Sequence, residues 1–456
     1  MAATLDPPNN ETESQGSLAT WRPEDADFWD STGKKIAWRS MWVTTFGLIL
    51  SFATWFMVSA IMVKLTGIGF KFDKSQVFWI NSMPGLAAGT LRIVHTFLIP
   101  IYGTRKTVTV STFLLLIPCV GWGMAIMNPN TSFGMFLFLG FLAGLGGGNF
   151  SSFMPSTSLF FPKRLQGAAL GYQAGIGNFG VSVAQFVIPA VIGLGLLGAS
   201  EHFVEKKNDV IVKQADIYLQ NAAFIWIPFI VVAGFLAWFM LRSVPVKANF
   251  REQLDIFKEK HTWYMTLLYI MTFGSFSGFS AVFPLLIKNT FGQFPNAPEP
   301  LKYAFLGPLI GAGVRALFGP ISDKVGGAKV TMISGIGLLG CALGITQFTQ
   351  PTSMEQWPGF LWLMLGLFFF SGMGNASTFK QMPMIFPPRQ AGGVIGWTSA
   401  IAAYGPFVFS VAIAAIIGKD GKLPPTPFFF GAAGFYAFCI VLNWWCYARK
   451  AAEKPC

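Results

Sequence analysis

The sequence predicts an all-α membrane protein: twelve transmembrane helices in two pseudo-symmetric six-helix bundles. Three observations lead there. The 456 residues are 53% hydrophobic and only 11% charged, outside the range of a water-soluble globule. Twelve windows hold about 20 mostly apolar residues each, the length that crosses a bilayer core roughly 30 Å thick. Sequence features of the first half also recur in the second, a little over 220 residues on.

The spans of the first half fall at 40–63, 77–102, 108–127, 133–159, 168–198 and 221–241. Those of the second fall at 263–287, 303–321, 330–349, 358–386, 392–417 and 427–447. Residues 1–35 are polar and lack the apolar core of a signal peptide, so they read as a cytoplasmic tail. Two bundles follow, 36–241 and 263–447, joined by a charged segment, 242–262, that looks like an amphipathic surface linker; 448–456 form a short C-terminal tail.

The formal charge of +12 invites a nucleic-acid reading, but its distribution argues against one. Numbered from an inside N-terminus, the cytoplasmic side collects 19 of the 32 Lys and Arg. The opposite side has ten, all lysines, and Arg92, Arg315 and Lys380 stay within spans. This is the positive-inside bias, and it places both termini in the cytoplasm. The five cysteines (Cys119, Cys341, Cys439, Cys446 and Cys456) form no CxxC pair and read as small packing residues. With no clustered metal ligands and no nucleophile–base pair in supporting context, neither an enzyme nor a cofactor is expected.

Arg92 is followed by Gly103 at +11 and Lys106 at +14; Arg315 is followed by Gly326 and Lys329 at the same spacings, 223 residues on (315 − 92). Phe161-Pro162-Lys163-Arg164 is echoed by Phe386-Pro387-Pro388-Arg389, and Gly180 by Gly405, both at 225. Leu170-Gly171-Tyr172 returns as Ile395-Gly396-Trp397. Parallel repeats about the membrane normal are the arrangement of the major facilitator superfamily. Gly319 to Gly327, with Asp323 and Lys324, resembles that superfamily's loop motif GxxxD(R/K)xG; the counterpart at Tyr102 to Lys106 lacks the aspartate.

Arg92 lies 11 residues from Gly103, about 16 Å along a helix, near mid-membrane. Arg315 reaches the same depth by the same count. A guanidinium there costs at least about 2.5–3.5 kcal/mol. None of the twenty Asp and Glu falls at mid-depth in a span; only Asp323 comes close, and it belongs to the loop motif. The counter-ion must therefore come from outside as a bound anion. Planar guanidinium forks suit small planar oxyanions. Tyr269 and Phe273 share a helix face at i, i+4, Phe150 follows Gly146-Gly147-Gly148-Asn149, and Phe52 lies midway along the first span. Gly175-Ile176-Gly177-Asn178-Phe179-Gly180 combines close-packing glycines with a mid-span amide that needs a partner.

These features together resemble the nitrate/nitrite porters (NarK type) of the major facilitator superfamily over essentially the whole chain. The matching residues are Trp21-Arg22-Pro23-Glu24-Asp25, Gly89-Thr90-Leu91-Arg92, Asn149-Phe150-Ser151-Ser152, Gly175 through Gly180, Leu268-Tyr269 with Gly274-Ser275-Phe276, and Gly311-Ala312-Gly313-Val314-Arg315. The resemblance implies that Arg92, Arg315 and Tyr269 hydrogen-bond nitrate or nitrite while Phe52, Phe150 and Phe273 wall it in. Asn178 is also expected among the anion-binding residues, and with Gly175, Gly177 and Gly180 it would let the fifth helix slide past its partner, with Gly405 as the second-half counterpart. The second signature, Ala400 to Gly405, is poorer in glycine than the family pattern.

The resemblance implies exchange of external nitrate for internal nitrite, and the residues agree. No span holds a carboxylate suited to carrying a proton. His95, three residues after Arg92, is the one titratable candidate, read either as a satisfied neutral imidazole or as a relay. Lys380, about 9 Å from its helix end, snorkels to the cytoplasmic face, assists anion exit or marks a proton-coupled subclass. The alternatives are proton symport, a porter for another small anion such as formate or oxalate, and a non-transporting receptor. The expected partners are nitrate, nitrite and the lipid bilayer, with the protein a monomer.

Overall fold

The structure is a computed structural model in which residues 18, 20–207, 210–244, 254–418 and 423–456 are described. The expectations for tail residues 1–17 and 19 and for linker residues 245–253 fall outside these. Among the described residues, eleven continuous stretches are long and apolar enough to cross a bilayer. One of them, Lys74–Met127, runs 54 residues, about two crossings. It breaks at Gly103, whose φ of 75° disfavours any side chain, so two spans stand there and the count is twelve. Gly326, the repeat mate of Gly103, turns the chain with φ 102° between the eighth and ninth spans.

The helices are α1 (Lys34–Leu65), α2 (74–102), α3 (104–127), α4 (Phe133–Phe160), α5 (Lys163–Val191), α6 (Asn221–Met240), α7 (Lys260–Phe291), α8 (Pro300–Val325), α9 (Gly327–Phe348), α10 (Met354–Ile385), α11 (Gln390–Ile417) and α12 (Thr426–Ala448). Their starts are chemical. Asp73 and Gln76 form a capping box at α2, and Ser132 accepts from Met135 N at α4. Large apolar side chains such as Ile101, Phe239, Leu317 and Trp362 are exposed, as lipid-facing surfaces require.

Two elements depart from expectation. The fifth helix ends at Val191 rather than near 198, just past Pro189. Beyond it, a β-hairpin pairs β1 (Glu201–Lys207) with β2 (Val210–Ile217), where a loop was expected. The N-terminal tail is also partly structured. Residues 26–33 are helical, Trp29 is buried with Phe160 and Phe161, and Trp21 Nε1 donates to Leu159 O at 3.1 Å. Glu24 accepts from Lys163 N at 2.9 Å, so the Trp21–Asp25 motif fastens the α4–α5 turn.

An even number of spans puts both termini on one side of the membrane. The described polar contacts between the halves lie at mid-depth or toward the other side. There, Asn81 Nδ2 donates to Ala281 O at 3.0 Å and to Ser410 Oγ at 3.1 Å, and Gln185 Nε2 to Ser280 O at 2.8 Å. Lys288 Nζ donates to Val63 O. Glu299, just before α8, bridges Lys64 at 2.6 Å and Lys213 of the hairpin at 3.0 Å. This face is closed.

Burial opposes ionisation of Glu299, but Lys64 and Lys213 outweigh it and hold the carboxyl below its usual range. A carboxylate lowered in this way contributes its attraction above its ordinary value and loses it as pH falls through the lowered one. Closure of this face should thus loosen in acid. Ser410→Cys, in a background without other cysteines, reports it through alkylation relative to an exposed cysteine. Reactivity should rise about fivefold in acid, the factor ~1 kcal/mol represents, and Glu299→Gln should show the raised level at every pH.

Candidate anion-binding site

The site is set by where backbone departs from regular helix. At Ile270–Gly274, α7 widens into a π turn, and α11 breaks at Ala403–Tyr404. The two irregularities meet, because a side chain on Gly405 would strike Gly274 O and Ser277 Oγ. On α4 the glycine run Gly146–Gly148 lies against neighbouring helices, with Gly146 facing Ser51 O and Gly147 facing Ala88 and Trp55. Glycine is required there, since any Cβ would push the helices apart.

Arg92 is fully buried. Its Nε donates to Gly147 O at 2.9 Å and its Nη1 to Ser399 O of α11 at 2.8 Å, while Nη2 has no partner. The guanidinium lies over Phe150 at 4.6 Å, Phe273 at 5.0 Å and Trp55 at 5.6 Å, each a favourable cation–π contact. Arg315, almost as deeply buried, lies 5.3 Å over Phe379, and its Nη1 is unpartnered. Tyr269 stands within electrostatic reach of both arginines, with no conventional hydrogen bond to its buried hydroxyl. Its ring stacks on Phe273 at 5.5 Å and 9° and meets Phe379 at 5.7 Å. Among the described residues neither arginine has a carboxylate partner.

The structure thus gathers Arg92, Arg315, Tyr269, Phe150 and Phe273 in one place. Phe52 takes a different part. It meets Phe150 edge-on at 6.3 Å and backs that ring, while Trp55, one turn on, touches the guanidinium. Asn178 is buried with both amide atoms unpartnered. Gly175, one turn earlier, faces Ala316 beside Arg315 across the bundle boundary, whereas Gly177 and Gly180 press α5 onto Leu48, Ile49 and Phe52 of α1.

At Arg92 the fork is partly engaged: Nε and one N–H of Nη1 go to carbonyls, which leaves Nη2 and the second N–H of Nη1. His95 Nδ1 lies 2.9 Å from Ser152 Oγ, which itself donates to Asn149 O at 3.2 Å. The contact holds the imidazole in a fixed place. Lys380 is half-exposed and pairs with Asp323, the aspartate of the loop motif. Sequence reasoning missed Trp55, Phe379 and Asn375. The last is buried with both amide atoms unpartnered. A signal for two of them existed, since Asn149-x-Ser151-Ser152-Phe153 recurs as Asn375-x-Ser377-Thr378-Phe379. Among the described residues no group of three His, Cys, Asp or Glu could hold a metal.

The sequence profile of the Major Facilitator Superfamily matches residues 44–383. A Thermus thermophilus protein named probable nitrate/nitrite antiporter NarK2 is 60% identical over 443 residues, covering 96% of this chain and 98% of its own. The chain belongs to the nitrate/nitrite porter family of that superfamily. A second member, the nitrate/nitrite transporter NarU of Salmonella typhimurium, is 38% identical over 98% of this chain and 99% of its own. The fold has solved counterparts at low identity. The nucleoside transporter NupG superposes with TM-score 0.63 at 12% identity over 90% of this porter and 98% of NupG. The Escherichia coli xylose transporter XylE, partially occluded and inward open, gives 0.62 at 13% over 90% and 97%.

Arg92→Lys and Arg315→Lys should each slow anion uptake into proteoliposomes at least ~10-fold at matched protein content, although charge is kept. One ammonium does not reach Gly147 O, Ser399 O and an anion together, and a buried acceptor left unpaired costs about 1–3 kcal/mol. Wild-type rates in both variants would refute the site.

Proposed function

We propose that this multi-pass membrane protein exchanges nitrate for nitrite by alternating access, with the anion held between Arg92 and Arg315. One observation carries the reading: two guanidinium groups buried without a carboxylate, each with an unpartnered amino group, and Tyr269 within reach of both. Substrate identity rests on the family, whose members carry nitrate/nitrite transport in their names. A small planar oxyanion fits the donors. Nη2 of Arg92, Nη1 of Arg315 and the Tyr269 hydroxyl supply hydrogen bonds, and the stacked rings of Phe150 and Phe273, 6.4 Å apart, flank it.

Transport requires the contacts between halves to change sides. In the state described, the Glu299 bridges and the Asn81 and Gln185 bonds join the bundles away from the termini. We place that face outside a bacterial plasma membrane and both termini in the cytoplasm, on the positive-inside bias. The bundles then rock about the anion. Lys380 and Asp323 lie on the cytoplasmic side of the site, where Lys380 serves the helix end rather than the anion.

Exchange is preferred to proton symport because, among the described residues, no carboxylate faces the arginines, and His95 is tied to Ser152. Proteoliposomes preloaded with nitrite should take up external nitrate with no imposed proton gradient. Uptake that needs acid outside and proceeds without internal anion would overturn exchange, and inhibition by formate or oxalate but not by nitrate would reassign the substrate.

A further inference from the structure

The repeat that joins Asn149 to Asn375, 226 residues apart (375 − 149), is broken in its hydrogen bonding. In α4, Asn149 Nδ2 donates to Ser51 Oγ at 2.8 Å, a bond inside the first bundle. The second-half match of Ser51-Phe52 is Thr272-Phe273. Thr272 does not serve Asn375, because its hydroxyl meets Thr378 Oγ1 at 3.2 Å and bonds Leu268 O. Asn375 is 1% exposed, with neither Nδ2 nor Oδ1 partnered among the described residues. The structural task of Asn149 is not the task of Asn375.

Neighbours on α10 fix where the amide points. Gly372, one turn before, lies against the Gly311 backbone of α8. Phe379, one turn after, touches Tyr269 and underlies Arg315. On the adjoining flank Thr378 bonds Thr272 of α7. By helical spacing Asn375 sits between these flanks and faces the wedge between α7 and α8, which carry Tyr269 and Arg315.

We propose that Asn375 donates to the bound anion and tilts the site toward nitrate over nitrite. The proposal rests on the nitrate/nitrite reading. Nitrite presents two oxygens, which the amino groups of Arg92 and Arg315, with Tyr269, already serve. Nitrate presents a third. A buried amide that lacks any protein acceptor gains most from the ligand that brings one.

Binding of nitrate and of nitrite to the purified protein, with thermal unfolding, tests it. Asn375→Leu is near in size and removes an unpaired buried amide, so stability without anion should hold or rise. Its nitrate Kd should rise about tenfold, as for one hydrogen bond to a charged ligand, and its nitrite Kd by less than about threefold. Asn375→Asp turns a carboxylate toward the wedge whose α8 wall carries Arg315. The anion-free protein should gain in Tm, and nitrate should no longer raise it. Wild-type nitrate affinity in either variant, or equal loss of both anions in Asn375→Leu, overturns the proposal. If the leucine variant does not fold, the aspartate variant decides. Wild-type protein that binds neither anion would defeat the nitrate/nitrite reading itself, a result distinct from these.

Discussion

Everything at the centre of this molecule answers one constraint: two guanidinium groups at membrane depth with no carboxylate to neutralise them. A buried charge without a partner is strongly destabilising, and the usual remedy is an ion pair. Here the remedy is partial. Arg92 receives two carbonyl oxygens and three aromatic faces, which hold the cation in place without cancelling its charge. Gly147 O comes within reach because the α4 glycines let that helix press against α1 and α2. The glycine run therefore serves the arginine as well as the packing. What remains is a positive field and a few unpaired donors, the complement of a small anion.

The pseudo-symmetry of the chain does not extend to the duties of its residues. Arg92 and Arg315 match by position, yet the first is tied to carbonyls of both bundles while the second rests on Phe379 beside Tyr269. Phe52 and Phe273 match as well, and only Phe273 meets the cation. Duplication supplies two equal frames, but the one small anion proposed here would need only one set of donors. The side chains at the shared site are free to diverge while the loop glycines, Gly103 and Gly326, keep the same backbone demand.

That division explains what was legible in the sequence. The bilayer imposes length and apolarity on each span, so the twelve helices could be counted from residues alone. That Tyr269 and Phe273 share a face followed from helical spacing, though their parallel stacking did not. Helix rotation about its own axis is not written in that way. Among 48 Phe, the choice of Trp55 over Phe52, or the presence of Phe379, depends on which face each helix turns inward. The hairpin at 201–217 escaped notice because its exposed charges gave little alternation. Lys380 was placed by depth, but its pairing with Asp323 joins residues on different helices.

The bond from Arg92 Nη1 to Ser399 O crosses between the bundles, and the same guanidinium carries the amino group offered to the anion. At the proposed site, binding and bundle position would thus be coupled through one side chain. If the halves rock apart at Ser399 with the site empty, Arg92 is left with two unpaired amino groups at low dielectric instead of one. An anion in the site gives those groups an acceptor and lowers the cost of the crossing. A carrier that moves readily when loaded and reluctantly when empty is an exchanger. On this reasoning the exchange stoichiometry needs no separate device, only a guanidinium whose second acceptor belongs to the other half of the protein.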